Sequence, residues 1–208
     1  MKKLLAALCI MCLSFSSLLV SHAQAQSFDT VLNWMFNNGL TKYDTSNEFR
    51  PNDLITRWEA SKFVAQAARV MWLTPNYNQC SFSDIAGYDI TLIPHIWDAC
   101  SYGLLKGSNW VFSPNNTLTE AQAITIVMRS LWGFLDETGD RRRSAYYEAG
   151  KEVGIITNES LDGVNTTNVT RQKLGTWFYK AATMNQWTVD QLDGEAELME
   201  IINKIFGE

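Results

Sequence analysis

Three stretches of this 208-residue chain can be laid over one another, and that repetition limits the possible folds more than any other feature. The first reads VLNWMFNNGLTKYDTSNEFRPNDLITRWEASKFVAQAARVM, the second IPHIWDACSYGLLKGSNWVFSPNNTLTEAQAITIVMRSLW, and the third YYEAGKEVGIITNESLDGVNTTNVTRQKLGTWFYKAATM. Each opens with a short apolar helical pattern that stops at a Gly followed by an aliphatic residue: Gly39-Leu40, Gly103-Leu104 and Gly154-Ile155. Glycine just past such a pattern is the expected helix stop, because it takes the left-handed conformation without steric penalty. A polar loop follows, then a Thr that opens a longer helix. Thr56, Thr119 and Thr170 lie 17, 16 and 16 positions after their glycines, a near-equal spacing that marks one structural unit used three times.

The starts of the longer helices carry visible chemistry. Thr56-Arg57-Trp58-Glu59 and Thr119-Glu120-Ala121-Gln122 both read as capping boxes. In this arrangement the Thr hydroxyl accepts from the amide three residues on, and that residue's side chain reaches back to the Thr amide. Thr170-Arg171-Gln172-Lys173 keeps the cap and loses the reciprocal acceptor, which predicts a weaker start. Apolar residues then recur at helical spacing: Phe63, Val64, Ala67, Ala68 and Met71; Ile124, Val127, Met128 and Leu131; Leu174, Trp177, Phe178 and Ala181. In the loops, Phe49-Arg50-Pro51-Asn52 and Phe112-Ser113-Pro114-Asn115 stand at one distance before the cap. The pattern reads as a buried Phe pinning the loop, then a Pro-Asn turn. The third loop, GVNTTNV, has neither Phe nor Pro.

A helix ending in Gly-aliphatic, a loop with F-x-P-N, and T-R-x-E opening a second helix together resemble the S-layer homology (SLH) repeat. Phe82-Ser83-Asp84-Ile85 looks like the F-x-D-[VI] phrase that often opens such repeats. The resemblance covers about residues 28–185, with the first two copies matching well and the third chiefly through Gly154-Ile155 and Thr170-Arg171. It implies an all-α fold in which three helix-loop-helix repeats form a pseudo-threefold bundle. It also implies non-covalent attachment to an anionic cell-wall polysaccharide held in grooves between repeats. The corresponding divisions are repeat one at 26–72, repeat two at 80–133 and repeat three at 140–185.

The ligand-binding expectation falls first on Arg57 and Arg171. Each follows a helix cap, where free backbone amides and the positive end of the helix dipole favour an anion, and an Arg fork can clamp a carboxylate. The alternative is that these arginines are solvent-exposed or make structural ion pairs. Glu120 replaces the Arg in repeat two, so that groove is expected to repel an anionic sugar. Tyr43 and Asp44 in the first loop, with Lys106 and Trp110 in the second, can line grooves by stacking on sugar faces or bonding hydroxyls; packing is the commoner fate of such aromatics.

The N-terminus supplies the expected location. Lys2 and Lys3 precede the apolar stretch LLAALCIMCLSFSSLLV, and Ala23-Gln24-Ala25 is a small-x-small cleavage site. This is the pattern of a secretory signal peptide over residues 1–25; the alternative is an uncleaved anchor. No later segment is apolar enough to span a membrane, so the expected product is secreted and held at the cell surface. Removing Lys2 and Lys3 leaves 15 basic against 22 acidic residues, which argues against a nucleic-acid partner because phosphate affinity needs a basic face. Four cysteines become two, Cys80 and Cys100, and an even count in an exported chain favours a disulfide over two buried thiols. His95 is then the sole histidine, and no Cys or His pair has metal-ligand spacing.

No catalytic constellation emerges. Asp84, Asp89 and Asp98 are carboxylates that could pair as a glycosidase acid and base, but their distribution is that of an ordinary surface, and no enzyme activity or cofactor is expected. The run Arg141-Arg142-Arg143 reads as a solvated linker or helix start. From Gln191 to Phe206, Leu192, Leu198, Ile201, Ile202, Ile205 and Phe206 share a helical face. That segment, within 186–208, is expected to cap the open end of the repeat array, or else to dock another subunit. The functional expectation is a surface-glycan-binding module; the rival is a scaffold or lattice component whose repeats bind neighbouring surface-layer proteins without sugar.

Overall fold

The computed structural model describes residues 27–76, 80–133, 142–157 and 160–191. The expected signal peptide, Arg141 of the basic run and the C-terminal segment beyond Gln191 lie outside the described residues. Those described form eight helices and no β-strand, an all-α protein. They are α1 (Phe28–Asn37), α2 (Ser46–Phe49), α3 (Arg57–Val70), α4 (Ile93–Ser101), α5 (Glu120–Trp132), α6 (Arg142–Glu152), α7 (Leu161–Thr166) and α8 (Arg171–Gln191). No described helix is long and apolar enough to cross a membrane.

Local signals act where the spacing places them. Gly39, Gly103 and Gly154 take φ of 72°, 72° and 70° at the ends of α1, α4 and α6. After the first two, the Leu40 amide donates to the Met35 carbonyl at 2.9 Å and the Leu104 amide to Ala99 at 3.0 Å, satisfying carbonyls that a helix end would otherwise orphan. Thr56 and Thr119 cap α3 and α5 in complete capping boxes. On α8 the Lys173 amide donates to Thr170 Oγ1 at 3.2 Å, and Lys173 has no acceptor to return the bond. Phe49 and Phe112 are buried as the loop pins, and Phe49 stacks obliquely on Phe63 at 6.1 Å. The third loop, without a Phe, winds into α7 and buries Val164 instead.

The three long helices α3, α5 and α8 touch one another, and each receives the first helix of a different copy. Thus α4 packs on α3, α6 on α5, and α1 on α8. The last of these contacts brings the first copy onto the third. Val31, Leu32 and Met35 of α1 and Leu174, Trp177, Phe178 and Ala181 of α8 are buried in the shared core. Met35 lies so close to Gly175 that any Cβ there would overlap its side chain, which accounts for a glycine inside α8.

Beneath the helix starts, the segments before the caps are bonded in a closed cycle. Ile55 donates its amide to the Val169 carbonyl (3.2 Å), Val169 to Leu118 (2.9 Å), and Leu118 back to Ile55 (3.1 Å). All three side chains are buried. Antiparallel bridges flank them at Leu54–Thr170, Thr56–Thr117 and Thr119–Asn168. The expected role of the C-terminal segment presumed an open end of the array. Among the described residues α1 packs on α8, and the segment expected to cap the array lies beyond them. Helix α8 also continues to Gln191 through the boundary expected at 185/186.

Candidate functional site

The first amides of a helix have no intrahelical acceptor, and the capping sequences place Arg57 and Arg171 beside them. Those amides are not free for an anion. Arg57 N donates to the Asn116 carbonyl at 2.8 Å and Trp58 N to Pro114 at 3.1 Å. Likewise Arg171 N donates to Asp53 at 2.9 Å and Gln172 N to Pro51 at 2.9 Å. Each helix start is therefore occupied by the loop of another copy, which corrects the expectation of an open anion site there. Satisfying these donors with protein carbonyls removes the cost of burying them unpaired.

The guanidinium groups do the same work. Arg57 lies 4.7 Å over the Phe112 ring and donates through Nε to the Phe112 carbonyl (2.8 Å) and through Nη2 to the Lys106 carbonyl (2.9 Å). Burial lowers its pKa from the ordinary value, and the facing Asp84 carboxylate opposes that shift. Arg171 donates to the Phe49 carbonyl (3.1 Å) and pairs with Glu59 Oε1 (2.5 Å), its side chain only 12% exposed. Arg171 thus makes an ion pair with Glu59, whereas Arg57 is bonded to two main-chain carbonyls.

Glu120 departs from expectation in an instructive way. It is buried, and its carboxylate accepts from Lys173 Nζ at 2.8 Å, so it does not face a groove as an unpaired repellent charge. Where the third and first copies meet, Arg171 at the first helical position bonds Glu59 at the third. Where the second and third meet, Glu120 at the first position bonds Lys173 at the third. The two departures from the repeat pattern are one reversed ion pair.

One cleft flanks the first of these junctions, and another lies where the first and second copies meet. The larger, about 700 Å³, lies between Arg171 and the first loop and includes Tyr43, Lys42, Arg50, Lys62 and Glu59. Lys42 sits 5.2 Å from the centre of the Tyr43 ring, and Lys62 makes no ion pair with any described residue. A smaller cleft of about 280 Å³ lies beside Arg57 and is lined by Lys106, Ser113 and Gln122. Of the residues proposed from sequence, the structure thus brings Tyr43 to Arg171 and Lys106 to Arg57. Asp44 is exposed and lines neither cleft. Trp110 lines a third cleft with Lys106.

Sequence reasoning missed what Asp84 does. Its two carboxylate oxygens accept from the Phe112 amide (2.8 Å) and the Ser113 amide (2.7 Å). Desolvation opposes its ionisation, but these bonds and the nearby Arg57 hold its carboxyl below the usual carboxylate range. The F-x-D phrase was the available signal: Phe82 stacks on Phe112 at 5.1 Å while Asp84 ties down the following backbone. Upstream, Cys80 is joined to Cys100 of α4 by a disulfide, so residues 80–84 form a strap across the second loop. Asp89 accepts from Thr91, and Asp98 pairs with Arg69, so each of the three carboxylates has a structural partner. No group of three metal-ligating side chains occurs among the described residues. Compared with known proteins, the chain matches no family model and no curated protein.

Proposed function

We propose that the chain is an exported, non-enzymatic surface module of SLH type, its three copies set about a pseudo-threefold axis, that holds non-covalently to an anionic cell-wall polysaccharide. The observation that carries the reading is the 700 Å³ cleft beside Tyr43, where Lys42, Arg50, Lys62 and Arg171 outnumber Glu48, Glu59 and Asp89. Arg171 is spent on Glu59 and the Phe49 carbonyl, which leaves Lys62 and Lys42 to meet an acidic sugar and Tyr43 to meet its ring face. The cyclic bonding of Ile55, Leu118 and Val169 and the rotation of helix pairings support the threefold arrangement. A disulfide is in keeping with export.

The test is retention of the mature chain by purified cell-wall sacculi, before and after removal of secondary polymers. Lys62→Ala and Tyr43→Ala are expected to lower retention while leaving the melting temperature nearly unchanged. Arg171→Ala is a poor probe because it also releases the Phe49 loop. A second reading, a scaffold that binds protein neighbours without sugar, is favoured by one observation: both arginines expected to clamp the ligand are engaged within the chain. Retention that survives polymer removal supports the scaffold and defeats the glycan anchor.

A further inference from the structure

One exposed tryptophan sits where the backbone favours glycine. Ser108 and Val111 exchange both main-chain bonds at 2.9 Å, closing a two-residue turn whose central residues, Asn109 and Trp110, have φ of 50° and 65°. Two successive positive φ values make a type I′-like turn, in which the second central place normally falls to Gly. Asn tolerates this region; a bulky aromatic there is an outlier that persists only when its surroundings over-determine it. They do so here. The Trp110 carbonyl accepts from the Ser83 amide (2.9 Å) and hydroxyl (3.2 Å), on the strap fixed by the disulfide. Gly107, just before the turn, has no room for a Cβ against Phe82 and the Val111 carbonyl. Yet the Trp110 side chain contributes little packing, being 61% exposed. It lines a cleft of about 540 Å³ together with Ser81, Phe82, Cys100, Lys106, Gly107 and Asn109.

We propose that this turn is a second carbohydrate subsite, taking one hexopyranose unit of the polymer with its C–H face on the Trp110 indole and its hydroxyls on Lys106, Asn109 and Ser81. The inference rests on the glycan reading above and deepens it, since Lys106 and Gly107 also line the cleft beside Arg57 and join the two spaces. A concave, polar-walled space fits a sugar better than a protein, whose hot-spot contacts want a desolvated apolar socket. Trp72, also left-handed and 90% exposed, lines none of the three clefts described above and is not included.

The experiment uses the mature chain, Trp110→Gly, Trp110→Phe and Lys62→Ala, each tested for retention on intact, polymer-stripped and protease-treated sacculi and for thermal melting. Trp110→Gly is expected to weaken polymer-dependent retention about fivefold, the scale of one aromatic contact, with Trp110→Phe keeping most of it. Trp110→Gly is also expected to melt at or above the wild type, because the turn prefers Gly; a loss of binding from misfolding would move the melting point down. Unchanged retention in Trp110→Gly, with Lys62→Ala impaired, overturns the subsite and leaves the anchoring reading standing. No polymer-dependent retention of the wild type overturns both. Equal loss in Trp110→Gly and Trp110→Phe, or loss of wild-type retention after protease treatment, overturns stacking on sugar.

Discussion

Single side chains here are held in conformations that their own chemistry disfavours. Trp72 has φ of 57° just past the end of α3 and is almost wholly exposed, so its strain is not offset by packing. A left-handed L-residue costs roughly 1–2 kcal/mol, part of which Gly loses again as chain entropy. Trp72→Gly is therefore expected to raise stability by roughly 0.5–1 kcal/mol, read as a higher melting temperature. Asp84 works in the opposite sense. Its folded pKa lies below the unfolded value of about 3.9, so its contribution is present above that pH and lost as pH falls through the folded pKa. Asp84→Asn is expected to cost about 1 kcal/mol near neutrality, modest because the carboxylate remains solvent-accessible. Melts of wild type and variant on acidification below about pH 4 should converge. The Gly stops and Thr caps could be read from sequence because a left-handed glycine and a reciprocal cap are decided within a few residues. The roles of Arg57 and Asp84 could not, since their partners lie 55 and 28 positions away and are backbone atoms.

Between elements, the reversed ion pair is the most testable feature. Lys173→Ala strands the buried Glu120 carboxylate, whose side chain is 6% exposed, and is expected to destabilise by roughly 2 kcal/mol. The lysine is itself 31% exposed, which holds the loss below that of a fully buried pair. Glu120→Arg alone sets two cations together and should do at least as much harm. Combining Glu120→Arg with Lys173→Glu rebuilds the Arg171–Glu59 arrangement and completes the capping box at Thr170. Urea titrations should then show a favourable coupling of at least about 1 kcal/mol in the double-mutant cycle. The strap makes its own prediction: replacing Cys80 and Cys100 by Ser should cost about 3 kcal/mol in the chain-entropy model. Hydrogen exchange should rise at Phe112 and Ser113, whose amides the strap holds through Asp84. Lys173 looked like a plain defect in a motif; only the spatial meeting of two copies reveals it as the partner of the other departure.

Across the molecule, α1 on α8 joins the first copy to the last as well as to its neighbour. Met35→Ala, at a fully buried position on that contact, is expected to cost roughly 2–4 kcal/mol. Unfolding should remain one transition by both circular dichroism and tryptophan fluorescence, because no copy can leave without opening the others. The repeated pattern announced the helices and their starts, but periodicity along a chain is equally compatible with an open stack, so a bundle was expected only from the resemblance. Ile55, Leu118 and Val169 each give one main-chain bond and take one, and the cycle is complete at three members. Such a ring counts. An additional segment would find no spare amide donor there, because all three are spent within the ring, and it could join only by displacing one of its members.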